Sequence, residues 1–496
     1  MNLKIASISA EIEPYAKSGG LADVAGSLPK ALKRQGHQII VVTPFYRGKI
    51  EPEKHKLKKI MENLTIKIDK KNQENFNIWQ GELAEDLPIY LIENEKYFNA
   101  RQYLYDSTSP DENARFWFFD LAVLKFLEEI KFLPDIIHCH DWQTGLIPYF
   151  LKKNFKNLEL SAATTVYTIH NLVFQFGHNW WKIAPELRDS GHNGLPDFSD
   201  AERREAINFA KRAILNADVI NTVSETYAEE IMTKDFGQDL HRILKNRKDR
   251  VFGIINGIDY KDYNPYNDPG LHRNYDWHNF KVKEKNKMFL QKMIGLPINK
   301  NIPMIGMITR ITEQKGFDLV KEIADIVLRF NLQIVVIGSG ENIYMDKLKE
   351  LMKKNPDKIY ANLEFVSSKD TTKIYASSDI LLIPSRFEPC GVIQMIAMRY
   401  GAIPVVRHVG GLIDTVYDYN PKNQTGNGFV FHPYDSIAML IAITRAIETY
   451  QRQNEWDKLV NKVMRQSFSW EYPARKYVEL FKKAIEIKKL DKEKSI

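Results

Sequence analysis

The stretch Lys17-Ser18-Gly19-Gly20-Leu21-Ala22-Asp23-Val24 follows an apolar, strand-like run over 3–9 and opens a helix-like run that ends near Gly36. Glycine lets the backbone come close to a ligand, and the unpaired N–H groups of a first helical turn attract an anion. Lys17 adds a positive charge beside them. A Gly-Gly turn alone most often only shapes a loop. In this setting it suits a phosphate or the charged end of a sugar nucleotide.

Outward from this loop, strand-like and helix-like runs alternate in two halves of the chain. The first half has strand-like runs at 5–9, 38–43, 135–140, 165–170, 218–223 and 251–255, and helical patterns over 20–35, 111–130, 144–153, 201–216 and 225–234. The second half has strand-like runs at 303–309, 333–337, 363–366, 380–384, 403–406 and 428–431. Strands separated by helices predict parallel sheets with right-handed crossovers.

Two segments depart from this alternation. Residues 60–93 favour antiparallel strands, and the polar segment 259–300 is interpreted as the connection and outer loops between the halves. The predicted fold is therefore α/β, with two Rossmann-like, doubly wound domains in tandem. Such a pair is expected to hold its ligand in a central cleft that faces the carboxyl ends of both sheets.

Composition excludes several classes of protein. The 496 residues are 44% hydrophobic and 27% charged, which is ordinary for a globular protein. The two cysteines, Cys139 and Cys390, lie far apart, which favours a reducing compartment over a disulfide framework. No signal-peptide pattern or bilayer-spanning run is found, so we expect a cytoplasmic protein that does not associate with a membrane. The sequence has no nucleic-acid-binding motif, and its net charge of +7 suits an anionic small substrate.

Two cations follow the first strand of the second half. Arg310 and Lys315 lie in Thr309-Arg-Ile-Thr-Glu-Gln-Lys-Gly316, where a parallel strand would present them at its carboxyl end. Fixed cations there could stabilise a diphosphate leaving group as a glycosyl bond breaks. Two ordinary surface cations are the alternative interpretation. Gly338, which ends the next strand, opens a turn that offers backbone N–H groups.

A third segment of that half, Pro384-Ser-Arg-Phe-Glu-Pro-Cys-Gly-Val392, follows a buried-type strand and is predicted to open a helix through Arg399. Pro389 suits the first turn of that helix. Glu388 is interpreted either as a carboxylate that accepts sugar hydroxyls or as a helix cap. The N–H groups of Gly391 and Val392 would face a phosphate.

The first half carries His138-Cys-His140-Asp141 at one strand end and His170-Asn171 at another. His138 and His140 share a face of their strand. The pattern is interpreted either as a metal cluster or as a packed, hydrogen-bonded histidine pair. Asp141 and His170 are polar residues at strand ends, where a glucosyl ring could be held.

Together these motifs resemble the bacterial glycogen synthase and plant starch synthase family. The resemblance rests on the segments above and on Thr168-Ile-His-Asn171, Asn256-Gly-Ile-Asp259, Arg407-His-Val-Gly-Gly-Leu-Ile-Asp-Thr-Val416 and Phe468-Ser-Trp470, which occur in the family's order and cover nearly the whole chain. Ser18 before the glycine pair looks more like the bacterial members.

The resemblance implies a retaining glucosyltransferase of the GT-B fold that moves glucose from ADP-glucose to the non-reducing 4-hydroxyl of an α-1,4-glucan such as glycogen. It implies an N-terminal acceptor-side domain over 1–255, a nucleotide-sugar domain over 256–468, and a C-terminal helix over 469–496 that crosses back to the first domain. It implies neither a metal nor another cofactor, since ADP-glucose is a substrate.

The resemblance also implies roles for individual residues. Glu388, His170, Asp141, Arg310 and Lys315 would be catalytic. The residues implied to bind substrate are Lys17, Gly19, Gly20, Asp23, Tyr97, Asn171, Asn256, Gly338, Cys390, Gly391 and Val392. Tyr97 would lie at the edge of the glucosyl pocket.

Three positions depart from the family pattern. Where many relatives have Tyr-Gln-Gly after the His-Asn pair, this chain has Phe174-Gln-Phe-Gly177. Ile396 stands where many retaining two-domain transferases carry a second glutamate, as is expected within this narrower family but not outside it, and no adenine-stacking aromatic is evident near Val366.

Three alternatives stay open. They are a retaining transferase that uses UDP-glucose or another acceptor, a metal-dependent hydrolase built on the histidines, and a catalytically silent glycan-binding protein.

Overall fold

The computed structural model describes residues 2–100, 103–106, 109, 111–177, 180–364 and 368–494. For residues 368–370 it describes the backbone but not the side chains. It divides into two compact units. The first comprises Met1–Asn256 and Trp470–Ile496, and the second comprises Gly257–Ser469. Within the described ranges, no helix combines the length and the apolar character needed to cross a bilayer.

The first unit is built on a mixed sheet. Its strands are β1 Lys4–Ile8, β2 Gln38–Pro44, β3 Lys58–Lys67, β4 Gln73–Ala84, β5 Leu87–Glu93, β6 Ile136–His140, β7 Thr164–Ile169, β8 Val219–Thr222 and β9 Val251–Gly253. Its helices before the second unit are α1 Gly20–Arg34, α2 Glu112–Glu129, α3 Ile147–Lys153, α4 Ala201–Glu205, α5 Phe209–Asn216, α6 Glu225–Glu230 and α7 His241–Asn246. The strand order is β3-β4-β5-β2-β1-β6-β7-β8-β9.

In this sheet β5 to β9 run parallel with β1 and β2, whereas β3 pairs antiparallel with β4, and β4 with β5. The antiparallel prediction for 60–93 is therefore confirmed, although β5 joins the parallel part through β2. The strand order reverses at β1, which lies between β2 and β6. Ligands of open α/β sheets bind at such a switch point, beyond the carboxyl ends of the strands.

The second unit has an all-parallel sheet. Its strands are β10 Met304–Ile308, β11 Gln333–Ile337, β12 Ile359–Asn362, β13 Ile380–Ile383, β14 Ile403–Arg407 and β15 Phe429–Phe431. Its helices are α8 Lys283–Met293, α9 Phe317–Val327, α10 Asn342–Lys354, α11 Ser368–Ser377, α12 Ile393–Arg399, α13 Gly411–Thr415, α14 Ser436–Gln451 and α15 Gln453–Arg465. The order β12-β11-β10-β13-β14-β15 reverses at β10, so the loops after β10 and β13 flank its switch point.

The last helix, α16 Glu471–Lys494, belongs to the first unit, where it contacts α1 and β7. The Tyr477 hydroxyl accepts a 3.1 Å hydrogen bond from the Asn221 amide of β8. Helix α16 therefore contributes a polar contact beneath the strand ends of the first unit, as well as apolar packing.

Several expected elements differ from the observed ones. The helix expected over 201–216 is split into α4 and α5, because the Asn208 side chain accepts a hydrogen bond from the Lys211 N–H and begins a new helix. The strand expected over 363–366 is observed as β12, four residues earlier, and Phe365 and Val366 lie outside the described residues.

The segment 259–300 is more than connecting loop. It contains α8, whose Leu290 packs into a buried apolar cluster with Met304 of β10 and Val335 of β11. The sequence did not reveal α8 because the helix is mostly polar and two of the side chains on its buried face are lysines. Lys287 is paired with Asp379 at 2.6 Å, and Lys283 donates to the Tyr375 carbonyl at 2.8 Å.

Candidate active site

The loop between β1 and α1 is organised by a carboxylate that sequence reasoning missed. Glu11 accepts hydrogen bonds from the N–H groups of Ser18 and Gly19, the latter at 3.3 Å. Burial raises the pKa of Glu11. Two N–H donors of the loop are therefore already satisfied by the protein itself. An acidic residue in the otherwise apolar run after a strand was the signal that could have identified it.

Helix α1 begins at Gly20, and Gly19 is its N-cap residue, without a side-chain cap. The Lys17 ammonium lies 2.5 Å from the Asp23 carboxylate, and both side chains are about a third exposed. Lys17 is therefore held by an ion pair with the first turn of α1. An anionic ligand would have to compete with Asp23 for its charge.

Asp141 lies at the carboxyl end of β6, one strand from this loop. Its φ of 56° is a left-handed conformation that costs a non-glycine residue energy. The carboxylate accepts the His170 N–H at 2.6 Å, which ties the end of β6 to the end of β7. Burial raises the pKa of Asp141 to about 8, although hydrogen bonds from the His170 and Asn171 backbone oppose that shift.

The histidines at the ends of β6 and β7 pack together, with the His138 and His140 rings 4.0 Å apart and each ring hydrogen-bonded. His140 Nδ1 lies 2.9 Å from His170 Nε2, and His138 Nε2 lies 2.7 Å from the Thr168 hydroxyl. Burial lowers the pKa of His140 to about 3 and that of His170 well below its usual value, so both rings are neutral. The packed interpretation of these histidines is confirmed. Across the described ranges, no group of three or more His, Cys, Asp or Glu side chains is arranged to hold a metal ion.

Two other first-unit residues have contrasting surroundings. Tyr97 is buried, its ring lies 5.0 Å from that of Phe118, and its hydroxyl lies 3.4 Å from Glu74. Its ring packs in the aromatic core, and its expected position at the edge of a glucosyl pocket stays a prediction. Asn256 is also buried, and its side-chain oxygen has no hydrogen-bond partner among the described residues. A substrate hydroxyl could donate the hydrogen bond that this buried oxygen lacks.

In the second unit, two of the predicted catalytic residues contact each other directly. The Lys315 ammonium lies 2.5 Å from the Glu388 carboxylate, and the Ser385 hydroxyl donates to the same carboxylate at 2.9 Å. The Lys315 and Glu388 side chains are only 14% and 9% exposed. Arg310 is exposed and donates to Gln314 at 3.1 Å. Sequence spacing did not predict this pair, because 73 residues separate its members.

The segment after Glu388 differs from the prediction. Helix α12 begins at Ile393 with Val392 as its N-cap residue, so Pro389 lies in a loop and the helix-cap interpretation of Glu388 is wrong. Gly391 has a φ of +66°, and a Cβ there would lie 2.6 Å from the Gln394 side chain. The buried Cys390 immediately precedes this turn.

Gly338 permits a close crossing at the end of β11. Its φ is +151°, and a Cβ there would lie 1.9 Å from the Thr309 carbonyl at the end of β10. The Gly338 N–H donates to the Asn362 carbonyl at 3.0 Å, so it is satisfied within the sheet. Its role in this structure is to let neighbouring strand ends approach.

Each unit thus gathers predicted residues at its own switch point. In the first unit the Lys17 loop follows β1, Asp141 follows β6, and His170 follows β7, which are neighbouring strands. In the second unit the loop with Lys315 follows β10, and Glu388 follows the neighbouring β13. Neutral imidazoles and a buried carboxyl characterise the first group, and cations with one carboxylate characterise the second.

Known protein families match both units. The family described as "Starch synthase catalytic domain" matches residues 4–246, and the family described as "Glycosyl transferases group 1" matches residues 291–462. A glycogen synthase of Geotalea daltonii is 42% identical over 97% of this chain and 98% of its own length. One from Thermotoga maritima is 40% identical over 97% and 99%.

Solved structures give the same result. The catalytic domain of starch synthase IV from Arabidopsis thaliana, bound to ADP and acarbose, is 32% identical, with a TM-score of 0.84 over 98% of this chain and 100% of that one. A sucrose-phosphate synthase from Thermosynechococcus elongatus, 17% identical with a TM-score of 0.60 over 97% and 99%, shares the fold. The resemblance of the motifs and the GT-B class are therefore confirmed, and this chain belongs to the glycogen synthase and starch synthase family of glycosyltransferases.

Proposed function

We propose that this protein is a retaining glucosyltransferase that moves glucose from ADP-glucose to the non-reducing 4-hydroxyl of an α-1,4-glucan such as glycogen. The observation that carries the proposal is the similarity to glycogen synthases at 40–42% identity over 97% of the chain. We expect the reaction to take place in the cytoplasm.

On the donor side, Arg310 and Lys315 stabilise the diphosphate as the glycosyl bond breaks. Because Lys315 is paired with Glu388 in the structure, an incoming diphosphate competes with that carboxylate for the ammonium. Transfer of Lys315 to the phosphate leaves Glu388 free to approach the glucosyl ring. Donor binding and placement of the carboxylate are thus coupled in a single exchange of partners.

Other backbone and side-chain groups support the nucleotide sugar. We assign the Gly391–Val392 backbone to a phosphate, with Cys390 and Gly338 shaping the surrounding turns. In the first unit we assign Lys17 and Gly20 to the charged part of the donor, with Asp23 positioning the Lys17 ammonium and Gly19, bonded to Glu11, shaping the turn. These assignments rest on the family motifs and on the position of each loop at a strand's carboxyl end.

On the sugar side, Asp141 and His170 hold the glucosyl group, with Asn171 and Asn256 as hydrogen-bonding partners. The neutral His170 ring suits a sugar hydroxyl, since Nε2 is bonded to His140 and Nδ1 is left to donate to a hydroxyl or accept from it. Because burial raises the pKa of Asp141 to about 8, its carboxyl is largely protonated near neutral pH, and the ionised form gained as pH rises favours a cationic, oxocarbenium-like transition state.

Because no residue is assigned as a nucleophile, front-face displacement is the mechanism that explains retention of configuration at the transferred glucose. The acceptor hydroxyl attacks on the side from which the diphosphate leaves, and a phosphate oxygen takes its proton.

Glucosyl transfer is tested by incubating the purified chain with glycogen and radiolabelled ADP-glucose or UDP-glucose, with and without EDTA. The proposal expects ADP release matched by label in glycogen that β-amylase can remove, a strong preference for ADP-glucose, and full activity in EDTA. Preferential use of UDP-glucose would favour the alternative donor. Loss of activity in EDTA with recovery on adding metal would return the histidine group to a metal-dependent role.

A further inference from the structure

An aromatic cluster follows the His170–Asn171 strand end in the first unit. The ring of Phe176 stacks on that of Trp180 at 5.2 Å and meets the ring of Trp181 edge-on at 5.7 Å. Trp180 is buried, but Trp181 is 47% exposed. We call Phe176, Trp180 and Trp181 the aromatic platform. Trp181 thus presents a half-exposed indole in the segment that follows the His170–Asn171 strand end.

Arg188 holds the platform in one arrangement. Its guanidinium carbon lies 5.7 Å from the centre of the Trp180 ring and 5.4 Å from that of Trp181. The same guanidinium donates to the carbonyls of Ile183 at 2.9 Å and Trp181 at 3.2 Å. Trp181 is therefore fixed by a cation and by an aromatic edge while nearly half of its surface stays open. A ring that is already positioned loses little entropy when a ligand covers it.

The platform is also fixed relative to the candidate site. On one side of Phe176, the Gln175 amide accepts from Asn208 at 2.6 Å and donates to the Gln238 carbonyl at 2.9 Å. On the other side, the Gly177 N–H donates to the Asn113 side chain at 2.8 Å. Phe176 is five positions after Asn171, so the two residues are at most about 18 Å apart even in a fully extended chain. Phe176, the first ring of the platform, is therefore held by its neighbours within about 18 Å of Asn171.

We propose that the aromatic platform binds the acceptor glucan chain, with a glucosyl unit beyond the reacting one lying against Trp181. This inference rests on the proposed function and deepens its acceptor side. A pyranose ring has an apolar face of C–H groups and a polar rim, and an indole offers a flat apolar surface with one N–H donor. Phe176 lies in Phe174-Gln-Phe-Gly177, the segment in which many family members have Tyr-Gln-Gly.

The size of the platform favours a glucan over a protein partner. A stable protein interface covers about 800 Å² on each side, which is far more than one half-exposed indole and its neighbouring rings provide. A polymer of repeated sugar units needs only a small contact at each subsite. It gains further from simultaneous binding at the platform and at the reacting end.

The kinetic test compares Trp181→Ala with Leu187→Ala. Leu187 is 70% exposed in the same segment but makes none of the platform's ring contacts, so it is the matched control. Trp181→Ala is expected to raise the KM for glycogen about 3- to 10-fold, with kcat and the KM for ADP-glucose within about twofold of wild type. Leu187→Ala should leave all three constants unchanged, and Trp181→Phe should fall between Trp181→Ala and wild type.

A binding test separates this inference from the proposed function, because it needs no turnover. Native electrophoresis through gels that contain glycogen should retard the wild-type protein and the Leu187→Ala variant more than Trp181→Ala. If no nucleotide sugar is turned over but this difference remains, the proposed function fails and the glucan platform stands.

Equal retardation of all variants, together with an unchanged KM for glycogen, would overturn the platform. A change of oligomeric state in Trp181→Ala by analytical ultracentrifugation, with normal retardation, would assign the surface to a protein contact and overturn it as well.

Discussion

The pair formed by Lys315 and Glu388 allows a quantitative test of the site. The perturbation is a double-mutant cycle of Lys315→Met, Glu388→Gln and the double variant. The charges lie 2.5 Å apart, and the side chains are 14% and 9% exposed. Removing one partner from a buried pair costs about 3–5 kcal/mol, because the other charge is left uncompensated. The remaining exposure of both side chains places this pair at the lower end of that range.

The two single variants are expected to differ. Lys315→Met leaves the carboxylate with only the Ser385 hydroxyl, so the free energy of unfolding should fall by about 3 kcal/mol. Glu388→Gln keeps an amide oxygen that accepts from Lys315, so the fall should be about 1–2 kcal/mol. The double variant leaves no unpaired charge and should be less destabilised than the sum of the single variants by about 2 kcal/mol.

Thermal unfolding of the full chain, followed by circular dichroism, measures these differences. For a unit of this size, each kcal/mol corresponds to a shift in Tm of about 2–4 °C. The rate of glucosyl transfer should also fall about 10²–10³-fold in Lys315→Met, because a charge that stabilises the leaving diphosphate is lost. Additivity of the two single variants within about 0.5 kcal/mol would refute the reasoning, since uncoupled residues do not share a buried ion pair.

Three further predictions follow from burial and backbone geometry. Burial raises the pKa of Asp141 to about 8, so the folded state disfavours the ionised carboxyl and loses stability as pH rises from about 4 to 8. Asp141→Asn should therefore raise Tm more at pH 8 than at pH 5, and it should lower the rate of glucosyl transfer. Gly391→Ala combines a φ of +66° with a contact at 2.6 Å and should cost about 1–2 kcal/mol and lower transfer activity, measured by melting and by ADP release. Burial lowers the pKa of Lys283 to about 7, so its charged form is disfavoured in the folded state and stability rises with pH above about 7; Lys283→Met should flatten the dependence of Tm on pH between 7 and 10.

Each of these predictions has a contradicting result. Equal gains in Tm for Asp141→Asn at both pH values would mean that the carboxyl titrates normally. Gly295→Ala is the control for Gly391→Ala, because its φ of +77° imposes similar strain with no atom within 4 Å of the added Cβ. Loss of activity in both glycine variants would show that strain alone, rather than the Gly391 turn, is responsible. An unchanged slope of Tm against pH in Lys283→Met would contradict a neutral buried lysine.

The sequence by itself determined the alternation of strands and helices and the ends of most strands. Hydrophobic periodicity and the glycines that end helices and strands are features of neighbouring residues, and a buried parallel strand requires a short apolar run. The same locality explains the errors. The polar residues of α8 concealed its buried lysines, and Asn208 divided a helix that the apolar pattern made continuous. Pro389 suggested a helix start four residues before α12 begins.

The candidate site divides in the same way. Motifs in family order identified Asp141, His170, Lys315 and Glu388, because chemistry restricts residue type at each position. Only the tertiary structure showed that Glu388 holds Lys315 and that Glu11 occupies the N–H groups of the first loop. Contacts between residues distant in sequence depend on strand order and on side-chain packing, neither of which has a local signal. Burial has the same origin, so the structure alone decided that Tyr97 belongs to the core and that Trp181 remains exposed.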